Sequence, residues 1–136
     1  MDMEQLKVVV RYANGEVLRG YTQDFFPNKD RFHLFLADKP SAQSIEVILS
    51  KLKAVFIVRD FAGDYKYVEH KKFEGGEKPS GKKLEITFAD GEIMVGSTLG
   101  YDGKRSGFFI FPADPRSNNI RAYVIFSAVK QVRQLS

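Results

Sequence analysis

Lys7-Val-Val-Val-Arg-Tyr-Ala-Asn-Gly-Glu-Val-Leu-Arg-Gly20 returns, 76 residues on, as Lys83-Leu-Glu-Ile-Thr-Phe-Ala-Asp-Gly-Glu-Ile-Met-Val-Gly96. The offset holds without a gap to Asp38 and Asp114. It keeps Gly15 with Gly91, Gly20 with Gly96, Thr22 with Thr98 and Phe32 with Phe108. One inserted residue later, Val47-Ile48-Leu49-Ser50 matches Val124-Ile125-Phe126-Ser127. An internal repeat of this length fixes the organisation before any local reading begins. Residues 1–61 and 81–136 are two copies of one unit, and residues 62–80 connect them.

Each copy reads as five short strands. Val8, Val10 and Tyr12 alternate with Val9 and Arg11, and Leu84, Ile86 and Phe88 alternate with Glu85 and Thr87. A period of two marks a strand with one face turned inward. Asn14-Gly15 and Asp90-Gly91 predict tight hairpins of type I′. Gly20 and Gly96 interrupt the second strand where a bend or a close backbone approach is expected. The third strand, Arg31 to Ala37 or Phe108 to Phe111, is apolar almost throughout, as in a strand covered on both faces. Ile45 to Leu49 and Arg121 to Phe126 follow as fourth strands. A tight connection leads to fifth strands at Leu52 to Val58 and Val129 to Val132. No segment carries a sustained helical period. The expected fold is all-β, a tandem of two five-stranded small barrels of SH3-like size, packed through their aromatic third strands. In the connector, residues 65–73 carry aromatics that predict packing on the barrels, with 74–81 as a loop.

Composition narrows the chemistry. The 136 residues hold 43% hydrophobic and 28% charged side chains, twelve Phe, six Tyr and no Trp. With no Cys there is no disulfide, thiolate site or Cys nucleophile. The two His, His33 and His70, are too few for a multi-His metal centre. No apolar run approaches the ~20 residues of a membrane helix. The acidic start is unlike a signal peptide, so a cytoplasmic location is expected. Neither a Gly-x-Ser-x-Gly elbow nor a phosphate-binding Gly loop occurs. The sequence therefore predicts no catalysis, no metal and no cofactor.

The net charge of +4 is uneven. Residues 81–136 hold eight basic and five acidic side chains, whereas residues 62–80 hold four of each. The second copy also has the richer loops. Tyr101, Lys104 and Arg105 precede its third strand, and Arg116, Asn118, Asn119 and Arg121 follow it. Arginine forks suit carboxylate or phosphate, and Asn amides suit a peptide or base edge. The same residues also compose ordinary turns, with Asp114 capping backbone amides. Phe25 and Phe26, in the first copy's loop, are the second candidate, as a plug over the barrel or an exposed contact.

The paired glycines and the two-strand ending of each copy resemble the Sm-like small barrel. The whole chain is also similar to a poorly characterised bacterial family of paired domains of this type, most clearly over residues 96–121. The Sm resemblance implies an RNA site with an Asp six residues after the second Gly and an Asn ten after. This chain has Phe26 and Asp30, then Asp102 and Ser106, at those places. The Arg-Gly of that pocket is replaced by Ser50-Lys51 and Ser127-Ala128. The leading expectation is thus a non-catalytic bacterial adaptor that binds another protein, with an RNA- or DNA-binding module as the alternative.

Overall fold

The computed structural model describes residues 5–39, 42–62, 69–73, 81–100 and 103–135. Ten strands form one antiparallel sheet: β1 (Leu6–Tyr12), β2 (Val17–Thr22), β3 (Arg31–Phe35), β4 (Ser44–Ile48), β5 (Leu52–Val58), β6 (Lys82–Phe88), β7 (Ile93–Thr98), β8 (Gly107–Pro112), β9 (Asn119–Ile125) and β10 (Val129–Gln134). Single 3₁₀ turns, Leu49–Lys51 and Phe126–Ala128, join the last two strands of each copy. The sheet order is β10-β6-β7-β8-β9-β5-β1-β2-β3-β4. Strands of the two copies do not interleave.

Two closed barrels were expected, and the ladder differs. It runs through all ten strands and stays open at β10 and β4. The junction is also elsewhere than expected. The fifth strand of the first copy pairs with the fourth of the second, from Ala54↔Val124 to Val58↔Asn119. The aromatic strands β3 and β8 are not neighbours in the sheet, although Phe109 packs against the core that holds Phe32. The reason lies in β5, whose seven residues, Leu-Lys-Ala-Val-Phe-Ile-Val, are all buried. Val55 and Ile57 enter one core, with Val8, Val10, Phe32, Leu34 and Tyr123. Ala54, Phe56 and Val58 enter a second, with Leu84, Ile86, Phe88, Phe108 and Ile110. A strand apolar on both faces is most stable in the middle of the sheet. Each large apolar side chain covered there contributes roughly 1.5–3 kcal/mol.

The hairpins are not the expected type I′ turns. Among the described residues only glycines have positive φ, 97° at Gly15 and 93° at Gly91. The Tyr12 N–H donates to Glu16 O at 2.9 Å, and the Gly15 N–H to Tyr12 O at 3.0 Å. This is a three-residue loop closed by one left-handed glycine. Asn14 and Asp90 accept from the amides of Glu16 and Glu92, both at 2.9 Å, and need no positive φ themselves. Gly20 and Gly96 serve close approach. A Cβ there would lie 2.4 Å from Phe35 O and 2.2 Å from Phe111 O.

The two copies are also tied by charge. Lys53 on β5 is buried, and its ammonium donates to Asp90 Oδ2 at 2.7 Å and to Glu92 Oε1. It also lies 4.7 Å from the centroid of the Phe88 ring. The connector docks as well, where residues 69–73 are described. The His70 N–H donates to Asp114 Oδ2 at 2.8 Å, and Ser117 Oγ donates to Glu69. The rest of the aromatic connector, residues 65–68, lies outside the described residues.

Candidate functional site

β7 and β8 separate soon after they meet. Their ladder holds only Gly96↔Pro112 and Ser97↔Phe111. Gly96 lets the strands touch there, and past Thr98 the chain turns away through Gly100, at φ 122°. Thr98 Oγ1 stabilises that turn by accepting the Gly100 N–H at 3.2 Å. Between the diverging strands lies a groove of about 360 Å³. Its apolar wall includes Leu99, Phe109 and Phe111, and Arg105 and Arg121 line it too. Leu99 is 74% exposed, unusual for a large aliphatic side chain beside a groove. The Arg121 guanidinium lies 4.8 Å from the Phe109 ring centroid, a cation–π distance. Arg105 also lines a neighbouring cavity of about 540 Å³ with Ser50, Ser106, Phe126 and Ser127.

The candidate residues therefore divide. Arg105 and Arg121 come together at the groove. Lys104 is exposed in the turn beside them, and Tyr101 lies outside the described residues. Asn119 begins β9, and Arg116 and Asn118 belong to the loop at the other end of β8. There Asp114 Oδ1 accepts the Arg116 N–H at 2.9 Å, so that loop is a capped turn. Asn118 is engaged structurally: its Nδ2 donates to Asp60 O at 2.8 Å, and its Oδ1 accepts the Asp60 N–H at 3.2 Å. Asn119 pairs with Val58 in the sheet, and its N–H donates to Ser117 Oγ at 3.0 Å. The Asn118 side-chain amide is thus an internal clamp.

Phe25 and Phe26 divide too. Phe25 is buried and stacks edge-on against Phe32, Phe109 and Tyr123, at 5.1, 6.2 and 5.6 Å. It is a plug of the first core that reaches the second copy. Phe26 is 36% exposed, with the Lys29 ammonium 5.1 Å from its ring centroid.

In the first copy, a carboxylate crosses the place equivalent to the groove, beside an opening of about 340 Å³ lined by Gln23 and Phe35. β2 and β3 share a single pair, Tyr21↔Phe35. Asp24 bridges the opening: Oδ1 accepts the His33 N–H at 2.9 Å, and Oδ2 meets His33 Nδ1 at 2.7 Å. Burial opposes the Asp24 charge, but the bonds from His33 and Thr22 outweigh it and hold the carboxyl below its ordinary range.

Sequence reasoning did not find Leu99. The only signal was its place in the repeat, where the first copy has Gln23. Among the described residues, no three His, Asp or Glu side chains gather as a metal site. No described helix is long and apolar enough to cross a membrane.

The sequence pattern of one family matches residues 4–136, nearly the whole chain. The protein belongs to DUF6982, a family of unknown function. No curated protein matches it, and neither does any solved structure.

Proposed function

We propose that the protein is a non-catalytic adaptor that binds another protein through the groove between β7 and β8. The observation that carries this reading is the convergence of Arg105 and Arg121 on an apolar groove with Leu99 exposed beside it. Apolar surface supplies affinity, and guanidinium forks supply orientation toward acidic groups. In this reading each copy is one Sm-like unit, and the protein works in the bacterial cytoplasm. The alternative is RNA or DNA binding, which draws on the basic excess of residues 81–136 and on the Arg121–Phe109 stack.

Affinity capture from bacterial lysate, with and without nuclease, separates the two. The adaptor reading expects a nuclease-resistant protein partner whose capture is lost with Arg105→Glu or Arg121→Glu. It also expects modest salt dependence. Capture that disappears with nuclease, with a log–log salt slope of about −0.7 to −0.9 per phosphate contacted, would replace it with the nucleic-acid reading. Partner capture unchanged by both substitutions would remove the groove from the function.

A further inference from the structure

The groove lacks one acceptor that its counterpart in the first copy has. Residue 33 on β3 corresponds to residue 109 on β8, and residue 24 to residue 100. In the first copy the Asp24 carboxylate accepts the backbone N–H of His33. In the second copy the corresponding residue is Gly100, which has no side chain to do so.

The direction of the Phe109 amide follows from the ladder. The Phe126 N–H donates to Ser106 O at 3.0 Å, so the backbone polar groups of residue 106 point toward β9. Backbone direction alternates along an antiparallel strand. Residues 107, 109 and 111 therefore point their N–H and C=O away from β9, toward β7. Phe111 meets Ser97 there, but β7 ends at Thr98, one residue short of the place opposite Phe109. The Phe109 N–H is left pointing into the groove, and among the described residues nothing accepts from it. Arg105 and Arg121 line the same groove, so its charge suits a negative acceptor.

We propose that an acidic side chain from an extended segment of the partner protein takes the place that Asp24 takes in the first copy. Its carboxylate accepts from the Phe109 N–H between the two guanidiniums. An apolar residue next to it lies on Leu99 and Phe111, as Phe25 follows Asp24 into the first core. This proposal rests on the adaptor reading and names the chemistry of the partner segment.

The probe is the chain's own filling segment as a free peptide. A blocked Thr-Gln-Asp-Phe-Phe-Pro-Asn, copying residues 22–28, is titrated into the full ¹⁵N-labelled protein. The expected result is a saturable shift, largest at the Phe109 amide. The Asp→Asn peptide should bind at least tenfold more weakly, and Arg121→Gln protein should lose a similar factor while its first-core amides stay in place. Equal binding of the Asp and Asn peptides would overturn the proposal. So would shifts confined to Phe32 and His33, which would mean the peptide displaces its own counterpart. Acetate moving the Phe109 amide as strongly, at equal concentration, would also overturn it in favour of a small carboxylate. Failure here does not carry the adaptor reading with it. If the peptide does not bind but Arg105→Glu still abolishes partner capture, the acidic-segment proposal falls alone.

Discussion

A methyl group on residue 96 would sit 2.2 Å from Phe111 O and 2.7 Å from the Ile110 side chain. Backbone cannot yield there without breaking the two pairs that join β7 to β8. Gly96→Ala should therefore destabilise by about 2–4 kcal/mol, read by urea unfolding. Gly103→Ala, with nothing within 4 Å of its added carbon, should stay within about 0.5 kcal/mol. Lys53 tests a different term. Lys53→Met keeps the stem over Phe88 and deletes the charge facing Asp90 and Glu92. Those carboxylates are 56% and 48% exposed, so water limits the loss to about 1–2 kcal/mol at pH 7. The hydrogen bond from Lys53 holds the Asp90 carboxyl below its ordinary value. A lowered folded pKa gives stability that is present above the unfolded value, near pH 4, and lost as pH falls through the folded one. The gap between wild type and Lys53→Met should thus narrow below about pH 4 in parallel unfolding curves.

Elements add what single residues do not. The loop from Asp24 to Asp30 looks like one turn-rich segment, yet its two phenylalanines have opposite fates. The Asp24 bridge to β3 turns Phe25 inward, against rings from both copies, and leaves Phe26 at the surface. Phe25→Ala should cost about 3–5 kcal/mol. Phe26→Ala should cost less than about 1 kcal/mol. A thermal-melt comparison of the two decides it, and equal losses would place Phe26 in the core as well. The fifth strands show the same divergence on a larger scale. β5 is buried at every residue, whereas β10 is exposed from Lys130 onward.

At the scale of the whole molecule, the open edges matter most. The junction made by β5 and β9 inside the chain could in principle recur between chains, with β10 of one copy against β4 of the next. Such a head-to-tail contact would not close on itself by twofold symmetry. β10 carries residues that oppose it. Where β5 has Ala54, Phe56 and Ile57, β10 has Gln131, Arg133 and Gln134, and Arg133 bonds Glu85 within the chain. Polar and charged side chains on an edge strand discourage addition of a further strand. The protein should sediment as a 15.5 kDa monomer at micromolar concentration. The triple substitution Gln131→Ala, Arg133→Phe, Gln134→Ile should make its sedimentation coefficient rise with concentration. A wild-type oligomer would show that the edge charges do not protect it.

By itself, the sequence determined the repeat, the ten strands and the sites of both hairpins. These rest on local physics: alternation of Val8, Val9 and Val10, and glycines at Gly15, Gly20, Gly91 and Gly96 where no other residue fits the backbone. It also determined that the second copy has the richer basic loops. Tertiary structure alone decided that β5 meets β9, since strand pairing between copies depends on which faces remain uncovered after each copy has formed its core. It decided that Arg105 and Arg121 share a groove while Asn118 clamps Asp60, because sixteen residues of sequence separation say nothing of direction across a sheet. The open amide of Phe109 has the same origin. The strands part in both copies, but the His33 amide meets the Asp24 carboxylate nine residues away, whereas Gly100 stands at that place in the second copy and, among the described residues, nothing accepts from the Phe109 amide.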